Sequence, residues 1–310
     1  MAERFIDEAW IKGDFKKATI SASQSGLTDS VWFIKYPYAL YAKFQPEKPS
    51  ISLKAGGEIH TYFQKILSKQ LTLKQAKEEF LKLRNLFSYS EKELAKFDFI
   101  NERLEQYINN HINALMEISE NVHIEKWIYE EFHSVWYDQK YLGKQLGVET
   151  EMYIDAVNHF LKLQMENKNR FGSTYKYKSK KDGNETWKWR KAQKIKNPQF
   201  THCIQEAVYM KSLPNYKPHL VYVDEDNYTI FNQDNCYELS PAGLKYFFNK
   251  YIQINVRRQE MLRMADGDIR KLAMMIGIDW SEIRNRENNP ILNTIQEEDI
   301  QKLEEFYDNL

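Results

Sequence analysis

The chain has 310 residues, of which 42% are hydrophobic, and this is enough to build a substantial core. Its 44 basic and 44 acidic residues give a formal net charge of zero, which excludes a protein that binds polyanions through its overall charge. Two cysteines, Cys203 and Cys236, are too few for a disulfide framework, and we expect no iron–sulfur cluster. Because no apolar signal region and no run of about 18 apolar residues occurs, we expect a cytoplasmic protein with no membrane partner.

The N-terminal part divides into a polar lead-in and the start of an organised domain. Residues 1–18 are the lead-in. From Thr19 a serine-rich stretch leads into the apolar residues 31–34, which is typical of a capped helix start. We expect this helix to end near Pro37.

A second helix is expected after the glycine pair at residues 56–57, with Ile59 and Phe63 on one face. His60 falls in its first turn on this interpretation. A lone histidine near a helix start is most often a surface or core residue. Residues 71–120 then repeat apolar side chains at helical spacing, which predicts amphipathic helices that pack on the core.

Two strands and a helix carry the candidate chemistry. After a first strand at residues 122–128, residues 147–157 alternate apolar and acidic side chains, with Asp155 on the acidic side. A polar turn follows, and residues 173–181 predict a neighbouring strand on which Lys176 and Lys178 share a face. The next helix has Gln205 and Tyr209 on one stripe.

The C-terminal part predicts a strand hairpin at residues 218–231 and a helix capped at Ser240. Residues 266–283 then have the pattern helix, glycine turn, helix. This pattern is shared by helix-turn-helix DNA readers and by small helical hairpins, so we keep both interpretations for residues 256–310. A helical appendage that docks a recombination or replication partner is the preferred one.

The aspartate, the lysine and the Gln-x-x-x-Tyr helix resemble the PD-(D/E)XK nuclease superfamily, most closely its RecB-like and Cas4-like exonuclease branch. The Gly-x-x-His stretch that ends at His60 matches the first motif of this branch. The resemblance implies an α/β domain over residues 19–255, with a central mixed β-sheet flanked by helices and a helical insertion at about residues 60–120. It also implies that His60 and Asp155 bind metal and that Lys178, Gln205 and Tyr209 complete the catalytic set.

In many members of this superfamily a glutamate of the first strand supports the site. Glu125 is the candidate, and Glu130 and Glu131 are its rivals. The superfamily cleaves phosphodiesters with one or two divalent ions, so Mg²⁺ or Mn²⁺ is the implied cofactor. An imidazole ligand suits Mn²⁺ better than Mg²⁺.

One position departs from the superfamily pattern, because Lys176 stands where an acid is expected two residues before the lysine. A second cation there would remove a ligand and add repulsion, about 4 kcal/mol for unit charges at 4 Å and an effective dielectric of 20. Glu149 or Glu151 could replace the acid from the preceding strand, and we take Glu151 as the candidate ligand. A different register of the signature is the other explanation, since lysines crowd this strand.

The segment between residues 176 and 196 is the most basic of the chain and contains two tryptophans. Basic side chains neutralise phosphates and aromatic rings stack on unpaired bases, so the segment predicts a nucleic-acid surface. A solvated loop whose tryptophans fold back on the core is the alternative. The candidate contacts are Lys180, Lys181, Trp187, Lys188, Trp189, Arg190 and Lys191.

Together these features predict a metal-dependent DNA exonuclease of phage or recombination and repair type, which acts on DNA ends or single strands. A nuclease fold that has lost catalysis through Lys176 and serves as a DNA-binding or replication-complex module is the first alternative. A helical interaction protein with an accidental resemblance is the second.

Overall fold

The structure is a computed structural model that describes residues 13–14, 19–45, 50–86, 89–179, 184–286, 289 and 291–310. Its strands are β1 (Thr19–Ser21), β2 (Trp127–Tyr141), β3 (Lys144–Asn158), β4 (Leu163–Asn169), β5 (Ser173–Lys178), β6 (Glu185–Arg190), β7 (Lys217–Val223) and β8 (Tyr228–Asn232). Its helices are α1 (Asp29–Phe33), α2 (Ala39–Tyr41), α3 (Ile51–Leu67), α4 (Leu73–Lys82), α5 (Glu91–Glu102), α6 (Leu104–Ile118), α7 (Phe200–Ser212), α8 (Pro241–Ala265), α9 (Ile269–Ile276), α10 (Trp280–Arg284) and α11 (Glu297–Asp308). This confirms the expected mixed α/β fold, with a central mixed sheet flanked by helices.

The sheet is organised around β3. Its partner β2 runs antiparallel to it along its whole length and occupies one edge. On the other edge, β1 pairs parallel with residues 149–151 and β4 pairs antiparallel with residues 156–158. β7 continues the sheet parallel to β4, and β8 pairs antiparallel with β7. The residues of β3 between β1 and β4, which include Asp155, therefore face a gap in the backbone pairing.

Helices cover both faces of this sheet with separate apolar clusters. On one side α1, α7 and α8 pack around Trp32, Ile204 and Tyr251. On the other side α3 to α6 pack around Phe63 and Phe97. The site described below lies where α3 and α7 approach β3 and β4.

The C-terminal helices pack on the N-terminal segment. Leu272, Ile283 and Leu303 share one hydrophobic cluster with Trp32 and Phe33. The helix α8 runs without interruption through residues 255 and 256. No helix in the described ranges is long and apolar enough to cross a bilayer.

Several local predictions are confirmed. The hairpin at residues 218–231 is β7 and β8, and Ser240 caps α8 with Pro241 at its start. The pattern at residues 266–283 is α9, a glycine turn at Gly277 and α10. Thr28 caps α1 through a bond from the Val31 amide, although the serine-rich stretch before it begins as strand β1.

Other predictions are wrong. The first strand starts at Trp127, because residues 124–126 form a 3₁₀ turn. The segment expected as a polar turn contains β4, and β5 pairs only with β6, in a sheet of its own. The polarity of β4 misleads here, since its Gln164 and Glu166 are buried and hydrogen-bonded inside the fold.

Candidate metal centre

Three side chains from three elements converge beside the gap in β3. His60 of α3 lies with Nδ1 3.4 Å from Oε1 of Glu130 and Nε2 3.8 Å from Oδ2 of Asp155. One potential ligand atom from each of the three lies within 4.8 Å of the others. The histidine and the aspartate are 15% exposed and Glu130 is 51% exposed, so the cluster opens to solvent on the side of Glu130.

The helix α3 holds His60 by packing. Ser50 caps its first turn, so residues 56–57 lie inside the helix. The sequence-based prediction that His60 falls in the first turn is therefore wrong. The imidazole stacks on Phe63 with ring centroids 5.2 Å apart, and Phe63 stacks in turn on His111 at 5.0 Å. The amide of Gln64 lies 2.9 Å from Nε2 of His60. This stack fixes the plane of the histidine ring.

Glu130 reaches the cluster through an unusual backbone. Its φ is 53°, in the left-handed region that residues other than glycine rarely adopt. The β2–β3 ladder pairs Tyr129 with Ala156 and Glu131 with Ile154, and the position between these pairs brings Glu130 opposite Asp155. Strained backbone of this kind is concentrated at functional sites.

The strand β4 places an acid and a lysine beside the cluster. The ammonium of Lys168 donates to Oε1 of Glu166 at 2.5 Å, and the backbone amide of Asn167 donates to Oδ2 of Asp155 at 2.7 Å. Glu166 is 2% exposed. Among the described residues, no donor reaches its second oxygen, Oε2. An acid and a lysine two residues apart on one strand face therefore lie directly beside Asp155.

The helix α7 contributes hydrogen bonds that hold the Glu166–Lys168 pair. Gln205 donates to Oε1 of Glu166 at 2.9 Å and accepts from Lys168 at 3.1 Å. It also donates to the hydroxyl of Tyr209, which donates to the carbonyl of Tyr153 at 3.1 Å. The Gln-x-x-x-Tyr helix thus connects β3 to the Glu166–Lys168 pair. Tyr209 donates to a carbonyl of β3 in the stretch between its pairings with β1 and β4.

Burial shifts the ionisation of these groups. Desolvation raises the pKa of Asp155 to about 7, against opposing effects of Lys168 and the Asn167 amide. Desolvation and the nearby Asp155 raise the pKa of Glu166 to about 7. Burial alone would lower the pKa of Lys168, but Glu166 and Asp155 outweigh it, so the pKa is raised. Burial lowers the pKa of His60, which keeps the imidazole neutral and able to act as a ligand.

A buried histidine, His111, contacts β4 next to the centre. His111 lies 2.9 Å from Oδ1 of Asn169 and 3.2 Å from Oδ1 of Asn167. The amide of Asn169 donates to the carbonyl of Gly56, which fixes its orientation, so His111 donates to it from Nε2. Burial lowers the pKa of His111 to about 4, so the ring is neutral and Nδ1 is an acceptor. Reversing the Asn167 amide from its placed orientation would turn its NH₂ toward Nδ1 of His111 and give the otherwise unpartnered Nδ2 an acceptor.

The sequence-predicted residues fall into two groups. His60, Asp155, Gln205 and Tyr209 are brought together. Lys178 is not among them, because it lies on β5 opposite Glu185 of β6.

The predicted acids other than Asp155 also lie elsewhere. Glu151 lies four residues from Asp155 along β3, which is about 13 Å at the rise of a strand, and it pairs with Ser134 and Ser21. Glu149 accepts a hydrogen bond from Ser134. Neither residue belongs to the described ligand cluster.

Of the three candidate glutamates in the first strand, Glu130 is the one in the cluster. Glu125 precedes β2 and lies 4.0 Å from His123. Glu131 is bound between two other histidines, each at 2.7 Å, which are His133 and His159.

The expected nucleic-acid segment is divided by the structure. Trp189 and Lys191 are engaged within the protein, by Glu225 and Asp226 respectively. Lys188 and Arg190 are exposed on the β5–β6 hairpin, and Trp187 is half-buried. Lys180 and Lys181 lie outside the described residues.

Sequence analysis missed Glu166 and Lys168, although their signal is present. Glu166-Asn167-Lys168 is a literal Glu-x-Lys, eleven residues after Asp155. The segment was taken as a turn because it is polar, and lysine-rich β5 offered a competing lysine. A Glu-x-Lys spacing thus occurs on β4, one strand earlier than the spacing considered on β5, and Lys176 lies outside it.

Comparisons with known proteins add little. No protein-family model matches this chain, and no curated protein matches it. A solved structure titled "Crystal structure of SSO0001" is similar over 57% of this chain and 84% of its own, with 16% sequence identity and a TM-score of 0.25. A TM-score of this size carries no argument about fold or function.

Proposed function

We propose that the protein is a metal-dependent deoxyribonuclease of the PD-(D/E)XK type, an exonuclease of the RecB-like kind that serves recombination or repair. The observation that carries the proposal is the juxtaposition of Asp155 with Glu166 and Lys168 on adjacent strands, beside His60 and Glu130. These are the residue types that hold a divalent ion next to a scissile phosphate.

The cluster fits a divalent cation by charge and by ligand chemistry. Three carboxyl groups, those of Glu130, Asp155 and Glu166, face the single ammonium of Lys168, since His60 is neutral. Burial disfavours the charged forms of Asp155 and Glu166 and so raises their pKa values, and a bound cation would offset that cost. Carboxylate oxygens with one imidazole suit Mg²⁺ or Mn²⁺.

Asp155 and Glu166 would hold the ion, with His60 and Glu130 as further ligands. A bound divalent ion lowers the pKa of a coordinated water and offsets charge on the phosphate. Lys168, held by Glu166 and Gln205, would contribute a positive donor beside the coordinated water. Gln205 holds that ammonium in place, and Tyr209 holds Gln205. The chain thus positions the lysine through two successive hydrogen bonds.

DNA is the substrate that the local charge favours. The net charge of the chain is zero, so a polyanion must be bound by a local basic surface. The β5–β6 hairpin supplies one, with Lys176, Lys178, Lys188 and Arg190 against Glu185 among its described residues. It follows β4 directly in the chain, so substrate bound there would lie near the candidate metal centre.

The alternative of a catalytically degenerate DNA-binding module depended on Lys176 at the position of a metal ligand. Lys176 lies 3.5 Å from Glu91 on α5 and 5.3 Å from the ring of Trp187, and the proposal assigns the role of the acid to Glu166 instead. The specific objection to catalysis therefore loses its basis.

The experiment is degradation of end-labelled single-stranded and duplex DNA with Mg²⁺, Mn²⁺ or EDTA, by the wild type and by Asp155→Ala. We expect metal-dependent release of nucleotides from the ends by the wild type and none by the variant. Salt-sensitive DNA binding without cleavage in either metal would replace this proposal with the binding module. Neither cleavage nor binding would reject both.

A further inference from the structure

The β5–β6 hairpin has two faces of different character. One face turns toward the body of the protein: Thr174 donates to the carbonyl of Lys92 at 3.3 Å, and Trp189 stacks on Phe99 with centroids 5.5 Å apart. The indole of Trp189 also donates to Glu225 at 2.7 Å. These contacts dock the hairpin on α5 and leave the opposite face in solvent.

The outward face is a ladder of alternating aromatic and cationic side chains, which we call the aromatic ladder: Tyr175, Tyr177, Lys188 and Arg190. Tyr175 pairs with Lys188 across the two strands. The ammonium of Lys188 lies 3.6 Å from the ring centroid of Tyr177, and the guanidinium of Arg190 lies 5.3 Å from that of Tyr175. The two tyrosines are 38% and 41% exposed. Large aromatic rings therefore remain open to solvent although cations hold them in place.

The hairpin is joined to the candidate metal centre by a short, well-packed connection. Phe171 packs on Tyr107 with ring centroids 5.1 Å apart, and the amide of Arg170 donates to the carbonyl of Val223 at 2.7 Å. Tyr175 follows Lys168 by seven positions, which limits the distance between them to about 25 Å. The chain therefore keeps the ladder within about 25 Å of the centre.

We infer that the aromatic ladder binds an unpaired DNA strand, stacking its bases on Tyr175 and Tyr177 and contacting its phosphates with Lys188 and Arg190. The inference rests on the proposed nuclease function and names its substrate as a single strand or a single-stranded end. Bases in a duplex present their edges and not their faces, so flat exposed rings with interleaved cations favour an unpaired strand over a duplex.

The charge on this face supports a nucleic acid as the occupant. All charged side chains of the aromatic ladder are cationic. The described carboxylate of the hairpin, Glu185, pairs with Lys178 on the opposite face. An apolar protein partner would gain nothing from this arrangement, whereas a strand offers a phosphate for each base.

The test is fluorescence anisotropy in EDTA, which prevents cleavage, with labelled oligothymidylate of about 20 nucleotides and a blunt duplex of the same length. Tyr175→Ala/Tyr177→Ala is the test variant. Tyr237→Ala/Tyr246→Ala is the matched control, because these tyrosines are also exposed and Tyr246 also carries a lysine, Lys250, at 5.4 Å. We expect the test variant to bind oligothymidylate at least about tenfold more weakly, and the control to bind as the wild type does.

A second variant separates stacking from charge. Lys188→Ala/Arg190→Ala should reduce the slope of log affinity against log salt concentration by about 1.4 on the single strand, which corresponds to two phosphate contacts. Unchanged oligothymidylate affinity in Tyr175→Ala/Tyr177→Ala, or an equal loss in the control, would overturn the inference.

These outcomes are distinct from failure of the proposed function. If the wild type degrades DNA in Mn²⁺ while both ladder variants bind single strands normally, the ladder inference alone is wrong. If the wild type neither binds oligothymidylate in EDTA nor degrades DNA in Mn²⁺, the function is wrong and the inference falls with it.

Discussion

The strands β4 and β5 follow one another in the chain and both carry lysines, yet their environments are opposite. On β4, Lys168 is held between Glu166 and Gln205, beside Asp155, and its side chain is 22% exposed. On β5, Lys176 and Lys178 are exposed on a hairpin, where Lys176 lies near Glu185 and the ring of Trp187. The same residue type is a largely enclosed charge with fixed partners in one place and a solvated one in the other.

The comparison shows where a lysine can take part in chemistry. A buried charge is costly and is retained only with partners that compensate it, so its position and protonation are determined by them. A solvated charge contributes to long-range attraction and has no fixed position. Under the proposed function, the chemistry would therefore belong to β4, and substrate binding would belong to β5 and β6.

The largest expected effect is a difference in DNA cleavage rate between lysine variants of β4 and β5. Lys168→Met should reduce the rate of metal-dependent DNA cleavage about 10²–10³-fold, because it removes a fixed donor from the reaction centre. Lys178→Met should change the rate at saturating DNA less than about twofold. Initial rates on end-labelled DNA with Mn²⁺ measure both. A larger loss of cleavage rate in Lys178→Met than in Lys168→Met would indicate that the catalytic lysine lies on β5.

Metal binding, measured without any reaction, should distinguish the candidate metal centre from the rest of the protein. Mn²⁺ at about 100 times its dissociation constant should stabilise the wild type by about 2.7 kcal/mol. His60→Ala should weaken this stabilisation, because it removes a ligand. His123→Ala, which changes a histidine that contacts Phe160 outside the cluster, is the control and should behave as the wild type. Thermal melts at several Mn²⁺ concentrations give the comparison.

Asp155 and Glu166 should make a negative contribution to the slope of stability against pH in the metal-free protein. They have pKa values near 7 in the folded protein, above the ordinary values of 3.8 and 4.5. Between about pH 4 and 7 these two groups therefore bind more protons in the folded state than in the unfolded state, and each lowers stability by up to about 1.4 kcal/mol per pH unit, against the opposite contribution of buried histidines such as His111. Urea unfolding in EDTA across this range measures the slope.

Asp155→Asn is the variant that tests the cause of this slope. It removes one of the two ionising groups and keeps an oxygen for the Asn167 amide, so the slope should become shallower and the metal-free protein more stable above pH 7. The same variant should lose its response to Mn²⁺. A variant that is less stable than the wild type in EDTA at pH 8 would contradict the assigned cause.

The smallest effect concerns the two tryptophans of the hairpin. Trp189→Phe removes the hydrogen bond to buried Glu225 and should cost about 1–2 kcal/mol of stability. Trp187→Phe, at a half-buried position, should stay within about 0.5 kcal/mol of the wild type. Urea unfolding at fixed pH distinguishes them, and equal effects would contradict the docking of the hairpin through Trp189.

The sequence alone places much of this site. The alternation that carries Asp155, the helix with Gln205 and Tyr209, and the mixed α/β class all follow from periodicity and from a resemblance. These features are local, so a pattern of a few residues is sufficient to find them.

The rest depends on tertiary contacts. β4 contradicts the rule that buried strands are apolar, because its Gln164 and Glu166 hydrogen-bond to side chains of α7 that are distant in the sequence. The approach of Glu130 depends on a left-handed backbone at one position of β2, which no composition signals. The split between Trp187 and Trp189 depends on which face of the hairpin meets α5.

The most direct test of the candidate metal centre is the anomalous scattering of Mn²⁺ in a crystal of the wild-type protein. We predict an anomalous peak within about 2.0–2.3 Å of carboxylate oxygens of Asp155 and Glu166, with His60 or Glu130 as a further ligand. A peak at Glu149 and Glu151 instead, or a saturated crystal with no peak at Asp155, would contradict it.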